Sequence, residues 1–219
     1  MAQHYHALIA SLPHLPHPRR APGLPIGPAR LRERLAWLSP ADAARLARLV
    51  AALAWTLPPA RWPDDAWLDA WQDALRQEPD PALRAVGHFH LEWRLLIAAL
   101  RRRRSGLPLA IDAATELPYA QQLRHHGQAP QFGLQHRHPW LVLAEHLLAR
   151  GDGIRLEQLL IERAWRALEH LDQPPGSGFR AVAAYRLRWE LLTAWPRPEP
   201  DGGRVGAWLD QGAWEYVGP

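Results

Sequence analysis

Histidine is the residue type with the most chemical promise in this chain. His125-His126 and His136-x-His138 flank a stretch holding Gly127 and Gly133, and the two pairs converge if that stretch folds back on itself. Zinc bound there would need a third and a fourth ligand, and no regular spacing nominates them. Solvated loop histidines are the simpler expectation. His88 and His90 stand two apart in a helical pattern, so they face different directions and cannot share a metal. If Met1 is removed, Ala2-Gln3-His4 would offer an amine, two amide nitrogens and an imidazole, a square-planar set suited to copper(II) or nickel(II). Any histidine at the third position creates that motif, so coincidence is the expected explanation.

Other catalytic chemistry is largely excluded by composition. All 26 cationic side chains are Arg, and there is no Lys and no Cys. Without Lys there is no GxxxxGK[ST] phosphate loop and no Schiff base. Without Cys there is no thiolate nucleophile, no disulfide and no cysteine-ligated zinc. Ser105 and Ser177 lack the context of an activated nucleophile, and GxSxG and HExxH are both absent. The expectation is a non-enzyme with no cofactor, one that neither binds nor hydrolyses ATP.

The net charge is +4, yet the isoelectric point is about 10.2. Little titrates between neutrality and the Tyr range, so a small excess of Arg moves the isoelectric point far. The 22 acidic residues are interspersed with the Arg, which argues against a nucleic-acid footprint on one face. No apolar run approaches the length of a membrane span, and no secretory pattern opens the chain. A cytoplasmic location is expected.

These residues must be positioned by helices. Six prolines between Pro13 and Pro28, with Gly23 and Gly27, predict an extended segment over residues 1–29. Residues 30–219 read as one all-α, multi-helix domain. Ser39-Pro40 is an N-cap followed by Pro in the first turn, and Leu46, Leu49, Val50, Leu53 and Leu57 form the apolar stripe behind it. Pro58-Pro59 should end that helix. Asp64 and Asp65 open the next, with Trp67, Trp71 and Leu75 on one face. Asp80-Pro81 opens the longest, to about Arg104, with Val86, Phe89, Trp93, Leu96, Ile97 and Leu100 as its stripe and Gly106 as its stop. Helices are expected near 118–126, 139–150, 154–172, 179–195 and 203–211. Tyr5–Leu12 is the one stretch that could be a strand. The twelve Trp fall mostly on the stripes and are expected in the core, with Trp208 and Trp214 as candidates for an interface. Arg101, Arg102, Arg103 and Arg104 end the long helix, where cations complement its dipole. Four together exceed that need, which nominates them as a partner-binding site for an acidic surface.

The opening Tyr5-His6-Ala7-Leu8-Ile9-Ala10-Ser11-Leu12-Pro13 resembles the Tyr-Tyr-x-Leu-Val-Ala-Ser-Leu-Pro start of a bacterial family encoded beside V/A-type ATPase genes. That family is itself similar to the C-type component of the central stalk, which is the d-type component in eukaryotic V-type ATPases. In order along the chain, Glu92–Arg103 resembles its long helix with a basic end, and Gln131-Phe132-Gly133-Leu134 its Asp-Phe-Gly-Leu. Arg155-Leu156-Glu157 with Glu162 and Trp165 resembles its charged helix, and Ala184-Tyr185 with Trp195 its last long helix. Gln131 departs from the Asp, and Ala194 stands where a basic residue precedes the Trp. The resemblance covers 5–13 and 88–195 best. It implies a non-catalytic adaptor between rotor shaft and membrane ring, taking part in proton or sodium transport. Its partners would be other V/A-type ATPase subunits, with no nucleic acid, and it would meet the membrane only through the complex. The alternative is a helical metal-binding protein or enzyme using the His125–His138 loop.

Overall fold

Proline, glycine and short polar side chains set the ends of the helices. The structure, a computed structural model, describes residues 5–53, 55, 65–109, 119–171 and 178–197, with backbone only for 65–70. Among these residues it is all-α. The helices are α1 (His6–Ser11), α2 (Pro28–Leu35), α3 (Pro40–Ala52), α4 (Asp65–Arg76), α5 (Pro81–Arg104), α6 (Ala120–His126), α7 (Trp140–Arg150), α8 (Gly153–Leu171) and α9 (Phe179–Ala194). Short 3-10 turns occupy Pro18–Arg20 and Pro130–Gly133.

Several ends follow the expected chemistry. The Ser39 hydroxyl accepts from the Asp42 amide at 3.2 Å and caps α3. The Asp80 carboxylate accepts from the Ala82 amide at 2.9 Å at the start of α5. At the other end of α5, Gly106 takes φ +68°, Leu107 donates to the Arg102 carbonyl and Gly106 to that of Arg103. This is a Schellman closure, which a residue with a Cβ enters at a cost. The expected helix at 203–211, the Pro58-Pro59 stop, Leu57, Asp64 and the side chain of Trp67 lie outside the described residues, as do Trp208 and Trp214.

The chain divides into two compact units. The first takes residues up to 57, then 65–88 and 161–195; the second takes 89–160 with the segments around it. Both α5 and α8 therefore change unit partway along their length.

In the first unit α9 is the core helix. Val182, Ala183 and Ala184 are fully buried, and small side chains there let neighbouring backbones come close. Tyr5–Leu12 turns out to be helical rather than a strand. With no second strand to pair with among the described residues, its backbone groups are satisfied locally, as in the 2.9 Å bond from the Ile9 amide to the Tyr5 carbonyl. Leu12 takes extended backbone, no regular element is formed from residue 13 to 17, and the Pro18–Arg20 turn interrupts the Pro-rich stretch. That stretch is anchored from below. Leu15 and Ile26 are buried, the Trp189 indole donates to the Ile26 carbonyl at 2.9 Å, and Tyr185 reaches the Pro13 carbonyl.

In the second unit residues 95–100 of α5 are buried on every side. The expected stripe on α5 is displaced in its first half. Val86 and Phe89 are only half-buried, whereas Leu83, Gly87, His90 and Leu91 point inward. Gly87 explains the rotation, since a Cβ at that position would stand 2.5 Å from the Leu75 side chain. Of the described Trp, residues 55, 71, 93, 140, 165 and 189 are buried as expected, Trp195 is half-buried, and Trp37 is 51% exposed.

Candidate partner-binding site

The four-Arg run lies in the second unit, where consecutive helical residues point about 100° apart. It therefore cannot present four cations on one face. Arg103 turns inward. One of its terminal nitrogens donates to the Ala129 carbonyl at 2.6 Å, the other forms an ion pair with Glu145 on α7, and the guanidinium lies over the Phe132 ring at 4.7 Å. Glu145 is also gripped by the Gln131 amide, and Gln122 on α6 donates to the Phe132 carbonyl at 2.8 Å. Burial pushes the Arg101 guanidinium down to about 10, still charged at neutral pH, with the Glu157 charge acting against that shift. Arg102 donates to the Pro108 carbonyl at 2.8 Å and is half-buried. Only Arg104 of the four is exposed.

The turn under Arg103 is strained. Gln131 and Phe132 take φ of +47° and +58°, and Gly133 takes +70°. Left-handed backbone is costly for residues with a side chain unless the surroundings fix it. Here Phe132, fully buried beneath the guanidinium, and the flanking amide contacts supply that fixing. The arrangement can lock the end of α5 to α6 and α7. It holds no nucleophile or general base aimed at open space, and its carboxylate is already engaged.

The histidines do not assemble. His125, His126 and His136 are exposed. His138 shares a 2.7 Å hydrogen bond with the Tyr119 hydroxyl and packs edge-on against Trp140. Among the described residues no group of three or more His, Asp or Glu is placed to hold a metal ion. His88 stacks edge-on with Trp71 on one side of α5, while His90 is buried against Trp93. Ala2, Gln3 and His4 lie outside the described residues.

A second polar centre, in the first unit, carries no motif in the sequence. Glu78, 2% exposed, is held bidentately by Arg45, whose guanidinium sits 3.9 Å from the Phe179 ring centroid. Burial works against the charge on Arg45, but the Glu78 hydrogen bond and the charges of Glu78 and Asp42 more than offset it, and its pKa is raised. Asp42 in turn accepts from the Tyr5 hydroxyl at 2.5 Å. Asp80 accepts two bonds from Arg180, at 2.7 and 3.0 Å. The one cue in the sequence is that Glu78 and Asp80 sit at a helix junction. Their partners are 33 and 100 residues away.

Among the described residues no helix is long and apolar enough to cross a membrane. No family model, no curated protein and no solved structure matches the chain.

Proposed function

We propose that the protein is a non-catalytic helical adaptor of a V/A-type ATPase, similar to the C-type component of the central stalk (the eukaryotic d-type component). In this role it stands between rotor shaft and membrane ring and takes part in proton or sodium transport. One observation carries the reading: the short segments on which the resemblance rests meet one another within each unit. The Tyr5–Pro13 opening receives the hydroxyl of Tyr185 from the Ala184-Tyr185 segment at 3.0 Å. The basic end of α5 embraces the Gln131–Leu134 turn through Arg103 and Phe132. Arg101 lies in the field of Glu157, from Arg155-Leu156-Glu157. Motifs that are each weak alone gain weight when they form mutual contacts, because they then specify one packing.

The physical demands of such a role also fit. A part that transmits torque needs helices joined by networks that resist sliding, and the Arg103–Glu145–Gln131 and Arg45–Glu78 networks tie helix ends together. Nucleotide chemistry is not required of it, in keeping with a chain that has no Lys. Of the Arg run, Arg104 is the residue offered to a partner. The test is co-expression of the full chain with the rotor-shaft and membrane-ring proteins of a V/A-type ATPase, followed by affinity isolation through the shaft. Recovery of the chain in a fixed ratio is expected. If it elutes alone while the shaft and ring assemble, the adaptor role is wrong.

A further inference from the structure

The positive charge of this protein is concentrated away from the Arg101–Arg104 run. Residues 5–53 contain seven Arg and two acids, Glu33 and Asp42, a net charge of +5. The whole chain is +4, so everything beyond residue 53 sums to −1. Two of the seven are engaged internally, Arg19 by Glu162 and Arg45 by Glu78. The other five, Arg20, Arg30, Arg32, Arg34 and Arg48, are exposed and in no ion pair among the described residues. Most of the described acids of the same unit have partners already: Asp42 with Tyr5, Asp73 with Arg76, Glu78 with Arg45, Asp80 with Arg180, Glu162 with Arg19 and Glu190 with Arg186. Among the described residues only Glu33, exposed on α2 between Arg32 and Arg34 and in no ion pair, offsets the field of these five Arg.

Helix α2 carries three of them. Of its eight residues only Leu31 is buried and Leu35 half-buried, so the helix rests on the unit by one edge and exposes the rest. Arg30 and Arg34, four apart, share a side. Just beyond the helix Trp37 is 51% exposed, with the Arg34 guanidinium 5.5 Å from its ring centroid. Leu24, on the preceding loop, is 40% exposed.

From this we infer that α2 and its flanks form a docking surface for an anionic phospholipid bilayer, touched directly by the Arg and by Trp37. Arg forks bind phosphate oxygens bidentately, and an indole is most stable at the boundary between headgroup and hydrocarbon. A raised, largely exposed helix suits a flat anionic plane. A single-stranded nucleic acid would ask for a groove and bare aromatic platforms, and here one ring face already carries Arg34. The surface goes beyond the adaptor role, which brings the protein to a membrane only through its partners.

The experiment is co-sedimentation of the untagged full chain with vesicles. One set is phosphatidylcholine alone; the other is equal parts phosphatidylcholine and phosphatidylglycerol. Binding is expected only to the anionic set and should fall as salt shortens the screening length. Each Arg near an anionic surface contributes about fivefold, and Arg32 lies on the opposite flank of α2 from Arg30 and Arg34. Arg30→Gln/Arg32→Gln/Arg34→Gln should therefore lose at least about 25-fold in partition coefficient, most of it through Arg30 and Arg34. Trp37→Ala should lose several-fold while keeping the salt dependence. A charge-matched control, Arg76→Gln/Arg137→Gln/Arg150→Gln, removes three charges from exposed positions elsewhere and should bind nearly as wild type. Matched far-ultraviolet spectra and melts establish that all variants are folded. Failure of the wild type to bind anionic vesicles overturns the proposal. So does an equal loss in the control triple, which would make binding a matter of net charge alone. Tighter binding to a duplex or single-stranded oligonucleotide than to the vesicles, lost in the α2 triple, would reassign the surface to nucleic acid.

Discussion

The Tyr185 hydroxyl on α9 donates to the carbonyl of Pro13, 3.0 Å away and 172 residues earlier in the chain. Four residues along α9, the Trp189 indole donates to Ile26 in the same manner. Prolines cannot donate, so a Pro-rich segment leaves carbonyls with few intrasegment partners. Two aromatic donors from one helix satisfy those carbonyls and hold the segment against the first unit.

Replacing Tyr185 with Phe should therefore cost about 1 kcal/mol, and Trp189→Phe about 1–3 kcal/mol, because the Ile26 acceptor is left buried and unpaired. The double variant should also admit trypsin more readily at the exposed Arg20. Denaturant unfolding and the digestion rate check both. An unchanged digestion rate in the double variant would mean that the segment is held by Leu8 and Leu15 instead.

Glu78 is the most deeply buried carboxylate among the described residues, and removing only one side of its pair should be severe. Glu78→Leu should destabilise by about 3–5 kcal/mol by stranding the charged Arg45. Arg45→Met/Glu78→Leu should recover most of the loss, since a buried pair is replaceable by well-packed apolar side chains. Chemical denaturation of the two single variants and the double gives the coupling directly.

Neutralising the Arg run should not be uniform. The sequence pattern suggests a small, shared cost, of about 1–2 kcal/mol for all four Arg together. The contacts predict that Arg103→Gln alone costs about 2–4 kcal/mol, since it strands Glu145 and releases Phe132. Arg104→Gln should fall within about 0.5 kcal/mol of wild type. Thermal melts of the two single variants separate these outcomes, and equal melting temperatures would remove Arg103 from the core network.

Acid should weaken the fold in two stages. Burial, helped by the Arg94 charge, holds His90 well below its ordinary 6.5. The unfolded chain therefore binds a proton that the folded chain refuses, so stability falls as pH drops below 6.5. Asp80 contributes later. Burial raises its pKa, but the Arg180 hydrogen bond and the Ala82 amide lower it further, and it ends below 3.8. Its contribution is lost only as pH falls through and below that value. Denaturant midpoints across the acid range should slope less in His90→Gln between neutrality and the carboxylate range. Identical slopes would mean that His90 is protonated in the fold.

Much of the helical layout is legible in the sequence because its signals are local. Ser39-Pro40, Asp80-Pro81 and Gly106 each act within a few residues of themselves, through caps and φ preferences, and each marks an end where the sequence places one. The first half of the α5 stripe lies one step away from its expected face because an apolar pattern does not record what Gly87 makes room for. Tyr5–Leu12 is ambiguous in sequence for a related reason. A short apolar-rich stretch fits a strand or a helix until the presence of a pairing edge decides.

By itself the sequence determined the helical class, the excluded chemistries and most helix boundaries, since these follow from residue types and near neighbours. Tertiary structure alone decided which charges are free. A run such as Arg101–Arg104 is continuous in the chain, but helical rotation sends its members to different surroundings, two of them inward. Arg20, Arg30, Arg32, Arg34 and Arg48 look dispersed in sequence and are left in one unit without ion partners among the described residues. Charge in a chain is fixed by composition, whereas its availability is fixed by which partners folding brings within reach.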